Sequence, residues 1–99
     1  MKNNISMQDF HIKYINEKIT ILDVREIHEY VAGHIPTAQN FPLSTLGADF
    51  SKLDKDQKYY VICQAGGRSA KAYAFLHNQG FDVTDVEGGM NNWPGEIKN

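Results

Sequence analysis

The chain has 99 residues, with 10 Lys and Arg against 12 Asp and Glu and a net charge of −2 with histidine neutral. That balance, with both signs mixed along the chain, excludes the basic stripe of a nucleic-acid binder. No apolar run is long enough to span a bilayer, and one cysteine cannot close an internal disulfide. With 41% hydrophobic residues, the expectation is a soluble single domain over residues 1–99, free of nucleic acid and membrane. A lone thiol and the absence of an apolar signal core predict a reducing, cytoplasmic setting. His11, His28, His34 and His77 are scattered, so no metal site is expected.

Ser6 followed by Met7-Gln8-Asp9 reads as an N-cap with an acidic first turn. Met7, Phe10, Tyr14 and Ile15 then repeat at helical spacing, predicting one apolar face. Ile19 to Val24 is a β-branched run suited to a buried strand. Glu26 to Ala32 reads as a short helix that Gly33 ends. Ile35-Pro36 marks a turn, Ala38 to Phe41 a brief strand, and Pro42 to Phe50 a helix with proline at its start. Lys52 to Lys58 predicts a solvated charged loop. Tyr59 to Cys63 reads as a second buried strand, and Ser69 to Gln79 as an alanine-rich helix stopped by Gly80. Phe81 to Val86 is a further strand, and Gly88-Gly89 opens a last short helix holding Trp93. Strands alternating with helices along the whole chain predict an α/β fold, a mainly parallel sheet with helices on both faces. Ligands of such sheets bind at the carboxyl ends of the strands, where Cys63 and Val24-Arg25 lie.

Cys63 stands in Val61-Ile62-Cys63-Gln64-Ala65-Gly66-Gly67-Arg68-Ser69, at a turn from strand to helix. A cysteine ending a core strand is ordinarily a small buried hydrophobe. Two glycines and an arginine within five residues argue for a different role. Free N–H groups and the dipole at a helix N-terminus favour an anion, and such positions lower a thiol pKa from ~8.5 towards roughly 3.5–7.5. The glycines let successive amides converge on one point. The pattern is that of an activated sulfur nucleophile.

Taken together, these residues resemble the rhodanese family of sulfurtransferases, over roughly Ser6 to Trp93. Cys63, Gly66, Arg68 and Ser69 are similar to the family's C-x-x-G-x-R-S loop. Leu22-Asp23-Val24-Arg25-Glu26, Glu29-Tyr30, Gly33-His34-Ile35-Pro36, Ala38, Asn40 and Pro42 resemble its first signature. Glu87-Gly88-Gly89-Met90 with Trp93 resembles its second. The resemblance implies a single rhodanese-like domain with Cys63 as the catalytic residue at the base of a cradle formed by Gln64, Ala65, Gly66, Gly67, Arg68 and Ser69. It implies a double displacement through a Cys63 persulfide, with no cofactor. The partners it implies are a small sulfur donor, thiosulfate or a persulfide, and a thiophilic acceptor such as cyanide, a thiol or a protein thiol. Cys63 to Arg68 makes a six-residue loop, one shorter than in related phosphatases, which favours sulfur over a tetrahedral phosphate. Gln64 and Ala65 are neutral where thiosulfate-specialised members tend to carry basic residues, which favours a persulfide donor. A carrier role, storing persulfide for a protein partner, is the remaining alternative. Asp23 and Arg25 are expected to brace the site as an ion pair or serve ordinary stability. His34 is expected to be structural, and Trp93 core or groove wall. Arg68 either attracts an anionic donor or ties the loop to the scaffold.

Overall fold

A computed structural model describes residues 2–99. The elements run β1 (Asn4–Ile5), α1 (Met7–Asn16), β2 (Thr20–Asp23), α2 (Ile27–Ala32), β3 (Gln39–Asn40), α3 (Leu43–Asp49), β4 (Lys58–Ile62), α4 (Gly67–Asn78) and β5 (Asp82–Val86). Two 3-10 segments, Phe50–Lys52 and Gly89–Asn92, follow α3 and β5. The five strands form one all-parallel sheet in the order β1-β5-β4-β2-β3.

Both faces of the sheet are buried, because alternate residues of the inner strands are apolar on each side. Tyr59, Val61 and Cys63 enter one core cluster while Tyr60 and Ile62 enter the other. Strand order then assigns the helices. α1 and α2 carry the chain across the sheet one way, α3 and α4 the other, and crossovers of one hand place opposite travel on opposite faces. Phe10 of α1 and Tyr30 of α2 accordingly pack with Ile21, Tyr60 and Ile62. Leu46 of α3 and Ala72 and Leu76 of α4 pack with Leu22, Val61 and Val83. From β2 the chain goes outward to β3 and then returns to β4 on the other side of β2. The strand ends at Asp23 and Ile62 therefore flank the switch point of the sheet, where a crevice opens.

The expected strands and helices are present, with four differences. β1 has no counterpart in the sequence reading: two residues carry no periodicity, and the strand exists because β5 offers an edge, with Asp85 N–H donating to Asn3 O (2.9 Å) and Glu87 N–H to Ile5 O (2.9 Å). The apolar face of α1 centres on buried Phe10, and Ile15 is 64% exposed. α4 starts at Gly67, two residues before the expected Ser69, because Gly66 caps it in left-handed backbone (φ 114°). The 3-10 turn Gly89–Asn92 ends before Trp93. Trp93 is a core residue, packed edge-on against Phe10, His11 and Tyr14 with Nε1 donating to Glu96 O. His34 is bound in the scaffold: it stacks on the Tyr30 ring, its Nδ1 lies 2.8 Å from Tyr30 O, and its backbone bridges to Lys98.

Candidate active site

Cys63 follows the last residue of β4 and is 1% exposed. Its carbonyl accepts from Met90 N–H (2.8 Å) and that of Gln64 from Asn91 N–H (2.9 Å). A trans peptide points its N–H opposite to its C=O. The Gln64 carbonyl is turned out to the 3-10 turn, so the Ala65 N–H of the same peptide is turned the other way, towards the sulfur. Gly66 N–H donates to Cys63 Sγ at 3.0 Å. Burial pushes the Cys63 thiol up, but the Ser69 hydroxyl and the amides of Ser69, Gly66 and Ala65 outweigh it, and the net shift is downward. Ser69 is fully buried, and its hydroxyl donates to Gly66 O (3.2 Å).

The other expected residues divide into braces. Arg25 donates to Asp23 through Nε (3.0 and 3.1 Å) and Nη2 (2.8 Å), and Nη2 also reaches Gly33 O (2.8 Å). Both are buried, so each charge requires the other, and either lost alone would leave an unpaired buried ion. Asn40 ties this pair's backbone, donating to Asp23 O (3.0 Å) and Arg25 O (2.9 Å). Gln64 extends sideways, accepting from Arg25 Nη1 (3.1 Å) and donating to Asn91 Oδ1 (2.7 Å). Ala65 and Gly67 are exposed, with Gly67 opening α4.

Of the two roles the sequence left open for Arg68, the geometry favours tying, though to a carboxylate rather than to loop carbonyls. Its guanidinium grips Glu29 with two bonds, Nη1 to Oε1 (2.5 Å) and Nη2 to Oε2 (2.9 Å). Glu29 also accepts from Glu26 N–H (3.0 Å), completing a capping box on α2. The spacing of Glu26 and Glu29 was the sequence signal for that box. Asn91 carried no signal, being one polar residue in a short turn.

The Arg68 guanidinium holds Glu29 down to about 2. A carboxylate depressed in the folded state stabilises above its unfolded pKa and loses that contribution as pH falls through the folded value. The melting-temperature gap between the parent and Glu29→Gln is therefore expected to be flat above about pH 5 and to shrink towards pH 2. A gap independent of pH would show that the pair adds nothing to stability. Solvent screens this partly exposed pair, so the gap is expected to be small.

Among the described residues, no group of three His, Cys, Asp or Glu is placed to hold a metal, and no helix is long and apolar enough to cross a membrane.

A model of the rhodanese-like domain matches residues 6–96. “Putative sulfurtransferase YtwF” of Bacillus subtilis is 40% identical over 83 residues, which cover 84% of this chain and 81% of that protein. “Putative sulfur carrier protein YrkF” of the same organism is 38% identical over 96 residues, 95% of this chain but 52% of that one. The fold matches a rhodanese-related protein from Thermoplasma volcanium with a TM-score of 0.89 at 36% identity, covering 97% of each chain. It matches a rhodanese-like domain protein from Staphylococcus aureus with a TM-score of 0.89 at 35% identity, covering 99% of this chain and 97% of that one. A family model matched almost end to end, on a sheet shared with solved members, makes the conclusion direct: this chain belongs to the rhodanese-like domain family.

Proposed function

We propose that this protein is a sulfurtransferase that moves sulfane sulfur through a persulfide on Cys63. The observation that carries the reading is the sulfur itself, buried under amides of Ala65, Gly66 and Ser69 that hold its thiol below the ordinary range. The Cys63 thiolate attacks the outer sulfur of a donor. The donor's sulfur–sulfur bond breaks, and its electron pair leaves with sulfite, from thiosulfate, or with a thiolate, from a persulfide. The new terminal sulfur is anionic, and the same amides stabilise it without reorganising. A thiol or cyanide-like acceptor then attacks that sulfur and returns Cys63 as thiolate. Attack by the thiolate form needs no general base.

Charge distribution supports a persulfide donor over thiosulfate. Asp23 neutralises Arg25 and Glu29 neutralises Arg68, while Gln64 and Ala65 are neutral. A dianion would therefore meet amide dipoles and no unpaired arginine. The same Glu29 grip, with the six-residue loop, argues against phosphoryl chemistry, where that guanidinium would have to face the phosphate. A carrier role, relaying persulfide to a protein thiol, is the second reading, and the likeness to a sulfur carrier protein favours it.

Intact mass spectrometry after incubation with thiosulfate, a low-molecular-weight persulfide and a protein persulfide tests the proposal. One added sulfur is expected, more completely from persulfides than from thiosulfate. No adduct with any donor would sink it. Rapid turnover with cyanide or a small thiol favours the enzyme, and a long-lived adduct discharged by a protein thiol favours the carrier.

A further inference from the structure

The cradle is tied to the scaffold by side chains at its two ends. At the far end Arg68 grips Glu29. At the near end Gln64 is held three ways: Oε1 accepts from Arg25, Nε2 donates to Asn91 Oδ1, and its carbonyl accepts from Asn91 N–H. A guanidinium only donates, so Arg25 fixes the orientation of the Gln64 carboxamide and, through it, that of Asn91. Arg25 cannot drift, being buried and bound to Asp23 and Gly33 O. Between the two ties lie Ala65, Gly66 and Gly67, none with a side chain able to make a hydrogen bond. The aim of the intervening amides therefore depends on the ends.

We propose that Gln64 is a positioning residue for the Cys63 sulfur, its carboxamide clamped between Arg25 and Asn91 so that the amides of Ala65 and Gly66 stay aimed at Sγ. The inference rests on Cys63 as the sulfur-bearing atom and adds Gln64 and Asn91 as residues that act on it without touching it. The Gln64 carbonyl and the Ala65 N–H share one peptide plane. With the side chain released, that plane is held by the single bond from Asn91 N–H, and the left-handed Gly66 beyond Ala65 offers little resistance to its tilting.

The test uses Asn91→Ala, Gln64→Met and the double variant, read by the pH dependence of Cys63 alkylation. Asn91 is exposed and its backbone bond to Gln64 survives truncation, so Asn91→Ala keeps the fold even if Gln64→Met does not. Both changes are neutral and leave the charges of Asp23, Arg25, Glu29 and Arg68 in place. The alkylation midpoint is expected to rise by about 0.5–1 unit in each single variant. The double variant is expected to rise no further than the larger single, because both cut one chain of contacts. Persulfide loading at pH below the alkylation midpoint is expected to slow by about three- to tenfold. An unmoved midpoint in Asn91→Ala, or shifts that add in the double variant, would overturn the proposal. Alkylation needs no sulfur donor, so a parent protein that alkylates normally but never accepts sulfur overturns the sulfurtransferase reading alone.

Discussion

Cys63→Ser is expected to abolish sulfur loading and turnover altogether while leaving the protein folded. Serine keeps an oxygen where the sulfur accepts Gly66 N–H, so the buried amide stays paired and the core loses little volume. A hydroxyl does not ionise near neutral pH, and the amides that favour an anion then surround a neutral group. This adds a second, independent signature. A thiol whose pKa is lowered on folding stabilises fully above the ordinary thiol value, and that contribution is lost as pH falls through the folded value. The parent is therefore expected to gain melting temperature over Cys63→Ser as pH rises through the thiol range. Sulfur transfer by Cys63→Ser would refute the assignment, and a stability difference that ignored pH would refute the depressed thiol.

The alternation of strand and helix was legible because buried parallel strands need apolar residues on both faces. Ile21, Leu22 and Val24, interrupted only by Asp23, and Val61, Ile62 and Cys63 supply them as runs that no loop would carry. The position of Cys63 at a strand end, beside glycines, was legible for the same local reason. What the sequence withheld depends on residues far apart in the chain. Arg68 finds Glu29 across 39 positions, and Gln64 finds Asn91 across 27. No periodicity encodes such pairs, so the sequence leaves Arg68 two roles and only the fold supplies its partner. Asn4–Ile5 is a strand through the edge β5 lends it, and a helix start at Gly67 follows from the turn at Gly66, which alanine content further along obscured.

Gly89→Ala is expected to damage sulfur transfer more than any other single change outside Cys63. Its φ is 61°, in the left-handed region, where a side chain costs about 1–2 kcal/mol. The space is the harder limit. A Cβ there would lie 2.3 Å from Cys63 O and 2.6 Å from Gln64 O, both backbone atoms that no rotamer change can move aside. The 3-10 turn must then lift off the loop and break the bonds from Met90 N–H and Asn91 N–H. Each such bond is worth about 1 kcal/mol net, so the total cost is about 3–4 kcal/mol and melting falls by more than ~10 °C. Those bonds keep the Cys63 and Gln64 carbonyls turned out and, through the second peptide, the Ala65 N–H turned towards the sulfur. Losing one aimed donor typically costs 10²–10³ in rate, so loading is expected to slow by about a hundredfold or more. Gly88→Ala is the control. Its φ of 81° is also left-handed, but its Cβ would meet the end of the Asn92 side chain, at 2.2 Å, which can swing away. Gly88→Ala is therefore expected to lose about 1–2 kcal/mol of stability and keep its loading rate. If folded Gly89→Ala loads sulfur as fast as Gly88→Ala, the turn does not aim the cradle and the amides must be held by the loop alone.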